Sequence, residues 1–246
     1  MRLDKFAADQ TGVSRKIAGE MIRHGRVSVN GMTAKMPDMK ISPENDTVSI
    51  DGTDILYRQY MYIMLNKPAG VVCATRDALS DTVIELIPEN LFRKGLFPAG
   101  RLDKDTEGFV FITDDGGLAH RITSPACHVE KEYAVTLEKP CDKGCERLFR
   151  EGIVIDGGEK CLPAELIFTE DECAVRVILR EGKYHQVKRM FEAVGNRVTA
   201  LKRLRIGDLL LDESLPPGGC REILHNEVQK LCAFRQEKLT KNPLKI

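Results

Sequence analysis

The sequence predicts an α+β protein in two parts, a small N-terminal module and a larger sheet-containing domain. Three observations lead there. The first 55 residues pack two short helical stripes and a few strand-like runs into one compact pattern. After residue 60, short β-branched and aromatic runs recur between turn signals, with single helical stripes among them. A length of 246 residues suits one large domain or a small one joined to a medium one.

In the first module, Leu3, Phe6 and Ala7 share a helical face. Ser14 stands at the cap of a second helix, Arg15 to His24, whose expected inner face is Ile17, Ala18, Met21 and Ile22, and Gly25 ends it. Val27-Ser28-Val29 is extended, Asn30-Gly31 is a hairpin turn signal, and Thr47 to Ile50 closes the module as a strand before Asp51-Gly52. The module ends at residue 55. Residues 53–60 lack periodicity and read as a connection, with 56–60 the linker proper.

The larger domain, 61–235, opens on the apolar run Met61 to Leu65. Asn66-Lys67-Pro68-Ala69-Gly70 breaks this run, Val71 to Ala74 resumes it, and Thr82 to Ile87 reads as a short helix stopped by Pro88. Phe109-Val110-Phe111-Ile112 is a buried strand, and a helix carrying Leu118, Ala119 and Ile122 follows Asp114-Asp115-Gly116-Gly117. Val129 to Leu137 alternates polar and apolar residues as a half-exposed strand does. Residues 142–151 are helical in pattern, and strands follow near Ile153 to Ile155, Ala164 to Phe168 and Cys173 to Leu179. Glu181 to Phe191 opens a helix after a glycine turn, with Val187, Met190, Phe191 and Val194 as its buried stripe; Val198 to Ile206 is extended; a last helix from Glu227 turns Val228, Leu231 and Cys232 inward. Residues 236–246 form a basic tail.

Composition narrows the function. Hydrophobic residues are 42% and charged residues 30%, as in a soluble globular chain, and no run is long enough to span a bilayer. The start Met1-Arg2-Leu3-Asp4-Lys5 lacks the apolar core of a signal peptide, so a cytoplasmic location is expected. Eight cysteines are scattered without a C-x-x-C pair or a completing histidine set, which points to reduced thiols and no metal site. The net charge is zero but segregated: residues 1–35 hold seven Lys and Arg against three acids, and residues 180–205 hold eight against two. Local clusters of this kind suit nucleic acid. In the first module Arg2, Lys5, Arg15, Lys16, Arg23 and Arg26 are the candidate phosphate contacts.

The chemistry is expected at Gly100-Arg101-Leu102-Asp103-Lys104-Asp105-Thr106-Glu107-Gly108, where charged residues stand at the mouth of a buried strand. Such charges are costly unless they are paired or face a cleft. On chemistry alone, Asp103 and Asp105 are both candidates for the central carboxylate.

The order S-R-K-I-A-G-E-M-I-R-H-G-R-V-S-V-N-G at 14–31 resembles the S4 RNA-binding domain. G-R-L-D-K-D-T-E-G-F-V-F-I-T-D-D-G at 100–116, K-P-A-G at 67–70, E-K-E-Y-A-V at 130–135 and E-G-K-Y-H-Q-V-K-R-M-F at 181–191 resemble, in order, the motifs of pseudouridine synthases, and among them the small-subunit rRNA branch that carries an N-terminal S4 domain. This resemblance covers nearly the whole chain. It implies a mixed, largely antiparallel catalytic sheet of the pseudouridine synthase fold, and isomerisation of one uridine of 16S rRNA, uridine 516. The reaction breaks the N1–C1′ bond, turns the base and rejoins it through C5; nothing is released and no redox state changes, so no cofactor is implied. The motif register selects Asp103 as the catalytic carboxylate. It aligns Tyr133 with a tyrosine that stacks on the target base and Lys188 with the basic residue set against the aspartate, with Arg189 as the competing partner and otherwise an expected RNA contact. Arg101 is implied in a phosphate contact or in the gap left by a flipped nucleotide. The expected partner is 16S rRNA or a small-subunit assembly intermediate, no membrane is involved, and a monomer is the default. A sister enzyme acting on 23S rRNA, and a non-catalytic rRNA-binding assembly factor, are the competing readings.

Overall fold

The computed structural model describes residues 1–231. The expected inward placement of Cys232 and the basic tail 236–246 lie outside the described residues.

The chain divides into two compact units, Met1–Met61 with Ile87–Leu96, and Tyr62–Leu86 with the chain from Phe97 onward. Residues 87–96, which chain order alone puts with the larger domain, therefore cluster with the N-terminal unit. That unit comprises α1 (Leu3–Thr11), α2 (Arg15–Arg23), β1 (Val27–Val29), β2 (Met32–Thr33), β3 (Val48–Ile50) and β4 (Thr53–Ile55). Its strands form one antiparallel sheet in the order β2-β1-β3-β4. The Ser14 hydroxyl accepts the backbone N–H of Ile17 at 3.3 Å and caps α2. Asn30-Gly31 and Asp51-Gly52 both take left-handed backbone, with φ of 51° and 79° and of 50° and 80°. Consecutive positive φ angles belong to the tight turn that matches strand twist, which is why each pair joins two strands directly. The second of these turns makes Thr53–Ile55 a strand of the module instead of the start of a linker. Leu3, Phe6, Ala18, Ile22, Val27 and Val48 close the core. Ile17 departs from expectation: it is exposed, because the buried stripe of α2 is centred on Ala18 and Ile22 and Ile17 falls at its rim.

The larger unit runs β5 (Tyr62–Lys67), β6 (Phe97–Pro98), β7 (Glu107–Thr113), α3 (Gly116–Thr123), β8 (Lys131–Leu137), α4 (Cys145–Glu151), β9 (Val154–Ile155), β10 (Glu159–Lys160), β11 (Glu165–Phe168), β12 (Ala174–Leu179), α5 (Gln186–Ala193), β13 (Val198–Ile206), β14 (Leu209–Leu210), β15 (Cys220–Glu222) and α6 (His225–Leu231). The main sheet has the order β11-β12-β8-β13-β7-β5-β15, with β6 on β7 and β14 on β13. Every pairing in it is antiparallel except β13 with β7. The architecture is thus α+β on a mixed, largely antiparallel sheet.

Three sequence expectations change here. Val71 to Ala74 is no strand; a single bridge joins Val72 to Thr82. Thr82 to Ile87 is no helix but a run of turns, in which the Glu85 carboxylate accepts the Thr82 N–H at 2.7 Å. Lys131 to Leu137 is less exposed than its alternation suggests. It lies between β12 and β13, and on its polar face Thr136 is exposed but Glu132 is buried, accepting hydrogen bonds from Arg205 at 2.9 Å and Arg176 at 3.2 Å. Alternating charge in this strand reflects internal pairing instead of solvent.

The one parallel pair brings the ends of β7 and β13 together, with Gly108 opposite Arg203. Gly108 has φ of 98°, and a Cβ there would sit 2.3 Å from the Arg203 carbonyl oxygen. Only glycine allows this approach. Gly108→Ala is therefore expected to destabilise the larger unit by about 1–3 kcal/mol or more, seen as a lowered denaturant midpoint with the Asn30-Gly31 module unaffected.

Candidate active site

The loop from Gly100 to Thr106 leads into β7 and is held from beneath by backbone contacts. Gly100 turns it with φ of 88°. The Thr106 N–H donates to the Asp103 carbonyl at 3.1 Å, the Gly70 N–H to the Lys104 carbonyl at 2.7 Å, and the Leu102 N–H to the Cys73 sulfur at 3.3 Å. Lys67, the last residue of β5, is fully buried below the loop. Its Nζ donates to the carbonyl oxygens of Pro68 at 3.0 Å, Lys104 at 3.0 Å and Thr106 at 2.7 Å, which uses all three ammonium protons. Burial draws the Lys67 pKa down, and the charges of Cys73, Asp105, Glu107 and Asp103 oppose that. The K-P-A-G turn is thus the seat of the loop. In the sequence Lys67 stands out only as part of the K-P-A-G turn motif, with no role of its own.

Lys188 reaches the loop from the first turn of α5. Its Nζ donates to both Asp105 carboxylate oxygens, at 2.6 and 2.8 Å, and lies 3.4 Å from Asp103 Oδ2. Burial works against the Lys188 charge, but the hydrogen bond to Asp105 and the neighbouring carboxylates outweigh it and its pKa ends raised. The bond from Lys188 in turn holds Asp105 below the usual carboxylate range. Asp103 is recessed, its side chain 26% exposed against 72% for Asp105. The Asp103 carboxylate is therefore recessed but not sealed from solvent. His185, in left-handed backbone with φ of 48°, places Nε2 at 3.5 Å from Asp103 Oδ1.

Arg189 does not share this position. One residue on from Lys188, it points about 100° around the helix and pairs instead with Asp156 and with Glu159 at 3.4 Å, while donating to the Tyr184 carbonyl at 3.0 Å. The competition between Lys188 and Arg189 for Asp103 is settled by helix geometry in favour of Lys188, and the Arg189 guanidinium is committed within the larger unit.

Tyr133 is buried in β8, opposite Arg203 of β13, which is itself opposite Gly108 of β7. Two strand spacings, about 10 Å, separate Tyr133 from the strand entered by the Asp103 loop, at the same end of the sheet. Arg203 is buried, its Nε donating to the Phe109 carbonyl at 2.7 Å while Nη2 finds no partner among the described residues. Lys131, two residues before Tyr133, is buried too and donates to the Val129 carbonyl at 2.9 Å. Burial, helped by the Arg203 charge, draws its pKa down to about 8.

Arg101 is exposed on the loop. In the N-terminal unit, Arg2 and Arg15 both pair with the buried Asp4, at 2.9 and 3.0 Å, and Arg26 pairs with Asp51. Lys5, Lys16 and Arg23 are exposed. Among the described residues, no group of three or more His, Cys, Asp or Glu is placed to hold a metal ion, and no helix is long and apolar enough to cross a membrane.

The larger unit thus sets a recessed aspartate, on a loop before a central strand, beside a lysine from a helix distant in sequence. Comparison with known proteins gives the class to which this arrangement belongs, that of RNA-modifying isomerases. The family model described as RNA pseudouridylate synthase matches residues 61–193, and the S4 domain model matches residues 1–48. This chain belongs to the RNA pseudouridylate synthase family. It is 46% identical to the ribosomal small subunit pseudouridine synthase A of Yersinia pestis, over 95% of this chain and 99% of the relative. It is 42% identical to an uncharacterised RNA pseudouridine synthase of Bacillus subtilis, over 94% and 98%. A crystal structure of a pseudouridylate synthase superposes with a TM-score of 0.66 at 42% identity, covering 94% of this chain and 99% of that one.

The Lys131 ammonium gives a pH test. Its folded pKa of about 8 lies below the ordinary 10.5, so between these values the unfolded chain binds more protons than the folded one. This group's contribution to stability therefore rises as pH goes from about 8 to about 10.5. Lys131→Met is expected to gain on the wild type near neutral pH, with the gap narrowing by a few kcal/mol toward pH 10.5, as read from denaturant midpoints across that range. A gap that stays constant would mean that Lys131 is charged without penalty.

Proposed function

We propose that the protein converts a single uridine of 16S rRNA, uridine 516, to pseudouridine, with Asp103 as the attacking carboxylate. The observation that carries this reading is the meeting of Lys188 with the Asp103–Asp105 loop across 83 residues of sequence. A carboxylate that works on a sugar or a pyrimidine must remain an anion as water is displaced, and a fixed ammonium at 3.4 Å supplies the opposing charge. Asp103 takes the catalytic role over Asp105 because it is the recessed one. Asp105, largely exposed and clasped through both oxygens, works as the anchor that orients Lys188.

The target base cannot be reached within a stacked helix, so the nucleotide is extruded into the site. Tyr133 receives the flipped uracil by stacking. Attack by Asp103 at C1′ or at C6, or removal of a sugar proton, each frees the base to rotate and rejoin through C5. The Lys67 seat keeps the Asp103 main chain in one place throughout. Arg101 meets a phosphate of the extruded nucleotide. Lys5, Lys16 and Arg23, exposed on the N-terminal helices, supply further phosphate contacts, together with the outer faces of the paired Arg2, Arg15 and Arg26. The small-subunit target is supported by the names of the relatives that this chain matches along nearly all of its length.

Carbodiimide mapping of 16S and 23S rRNA from cells with and without the protein tests the substrate. Loss of one pseudouridine in 16S rRNA is expected, and loss in 23S rRNA alone would replace the assignment. Asp103→Asn should lower product formation by at least about 10³-fold while RNA affinity stays within a factor of about three, as expected when the lost group acts mainly in the transition state. Asp105→Asn should reduce turnover by roughly tenfold or less. An active Asp103→Asn beside a dead Asp105→Asn would reverse the two roles.

A further inference from the structure

Tyr184 has the most exposed aromatic side chain among the described residues, at 76% of its surface. Its ring lies on the imidazole of His185, with centroids 3.8 Å apart and planes 18° from parallel. His185 in turn stands 3.5 Å from Asp103. The turn that carries this pair is rigidly wired. The Gln186 side chain accepts the Lys183 N–H at 2.9 Å and donates to Glu181 at 2.7 Å, and Glu181 also accepts the Leu162 N–H at 2.8 Å. The Lys183 ammonium donates to the Lys160 carbonyl at 2.8 Å and pairs with Glu159 at 2.9 Å, and Arg189 holds the Tyr184 carbonyl. An exposed large aromatic on a mobile loop is unremarkable, whereas one presented by a turn with this many fixed contacts is a built surface.

From these contacts we infer that Tyr184 is a stacking platform for an unpaired base next to the target uridine in the RNA chain, and thereby a specificity-determining residue. The occupant follows from the position. The family acts on RNA, and a uridine engaged by Asp103, although out of its stack, stays joined through the backbone to a nucleotide on each side. The Tyr184 ring is separated from Asp103 by one imidazole, which puts it beside the path of those neighbours. The surrounding exposed cations Arg101 and Lys104 suit a phosphodiester strand. One ring face is covered by His185, which keeps the platform planar and oriented before RNA arrives. Aromatic stacking of this kind is worth about 1–3 kcal/mol per base, which corresponds to roughly 5- to 150-fold in affinity or kcat/KM.

The inference rests on Asp103 meeting the target uridine. Its test uses the full-length protein and small-subunit particles reconstituted from ligated 16S rRNA, either intact or with an abasic nucleotide immediately 5′ or 3′ of the mapped uridine. Tyr184→Ala should lower kcat/KM by about tenfold or more, with single-turnover chemistry at saturation changed much less, and Tyr184→Phe should stay within about twofold of the wild type. One of the two abasic substitutions should impair the wild type to a similar degree and impose no further loss on Tyr184→Ala. A Tyr184→Ala protein within twofold of the wild type, or losses from Tyr184→Ala and both abasic substitutions that simply multiply, would overturn the inference. Wild-type protein that forms no pseudouridine in the intact particle would instead overturn the substrate reading on which it rests.

Discussion

The buried ammonium of Lys67 is the constraint on which the site depends. Taking an isolated ammonium out of water carries a penalty of several kcal/mol unless its protons are satisfied, and here all three are taken by main-chain carbonyls, those of Lys104 and Thr106 just after Asp103 and that of Pro68 in the adjoining turn. Because the acceptors are backbone oxygens, the clamp fixes the path of the chain and leaves the loop side chains free to do chemistry. Gly108 completes the arrangement. It is opposite Lys67 on β5 and opposite Arg203 on β13, so the entrance to β7 is wedged between two neighbouring strands where no side chain fits.

Above that seat, charge is distributed unevenly between the two loop carboxylates. Lys188 gives its short contacts to Asp105 and a longer one to Asp103. Asp103 is therefore counterbalanced at longer range, by Lys188 near Oδ2 and His185 near Oδ1, while Asp105 takes the short contacts. Lys67 lies below the loop, and Arg203 and Lys131 are buried farther into the same sheet, on β13 and β8. Buried cations of this kind raise the local positive potential.

Much of this was legible in the residues. The cap at Ser14, the Asn-Gly and Asp-Gly turns and the apolar run at 109–112 each follow from local rules that depend on few neighbours. The failures have a common cause. Val71 to Ala74 and Thr82 to Ile87 carry apolar residues at strand and helix spacing, yet they form bends and turns tied to each other by the single Val72–Thr82 bridge, a contact that neither segment's own pattern announces. Glu132 looked like a solvent-facing residue because its partners, Arg176 and Arg205, are distant in sequence. In the site, motif order separated Asp103 from Asp105 where periodicity could not. The choice of Lys188 over Arg189 needed the direction of one helix face. Lys67 escaped because a lysine next to Pro-Ala-Gly has the composition of an ordinary turn, and its burial is visible only when β5, β7 and the loop are assembled.

The position of β13 has a consequence for how the protein is made. This strand is synthesised some 90 residues after β7, yet it inserts between β7 and β8. Until it emerges, β5 with β7 and β8 with β12 are two separate half-sheets, each with an open edge of unpaired N–H and C=O groups. The N-terminal module, by contrast, draws most of its contacts from the first 61 residues. A growing chain on the ribosome thus acquires its RNA-binding type of module early and its catalytic pocket last, when one late strand joins the halves. Such long-range closure is slow, and the waiting edges are the segment of the folding path most open to misassociation.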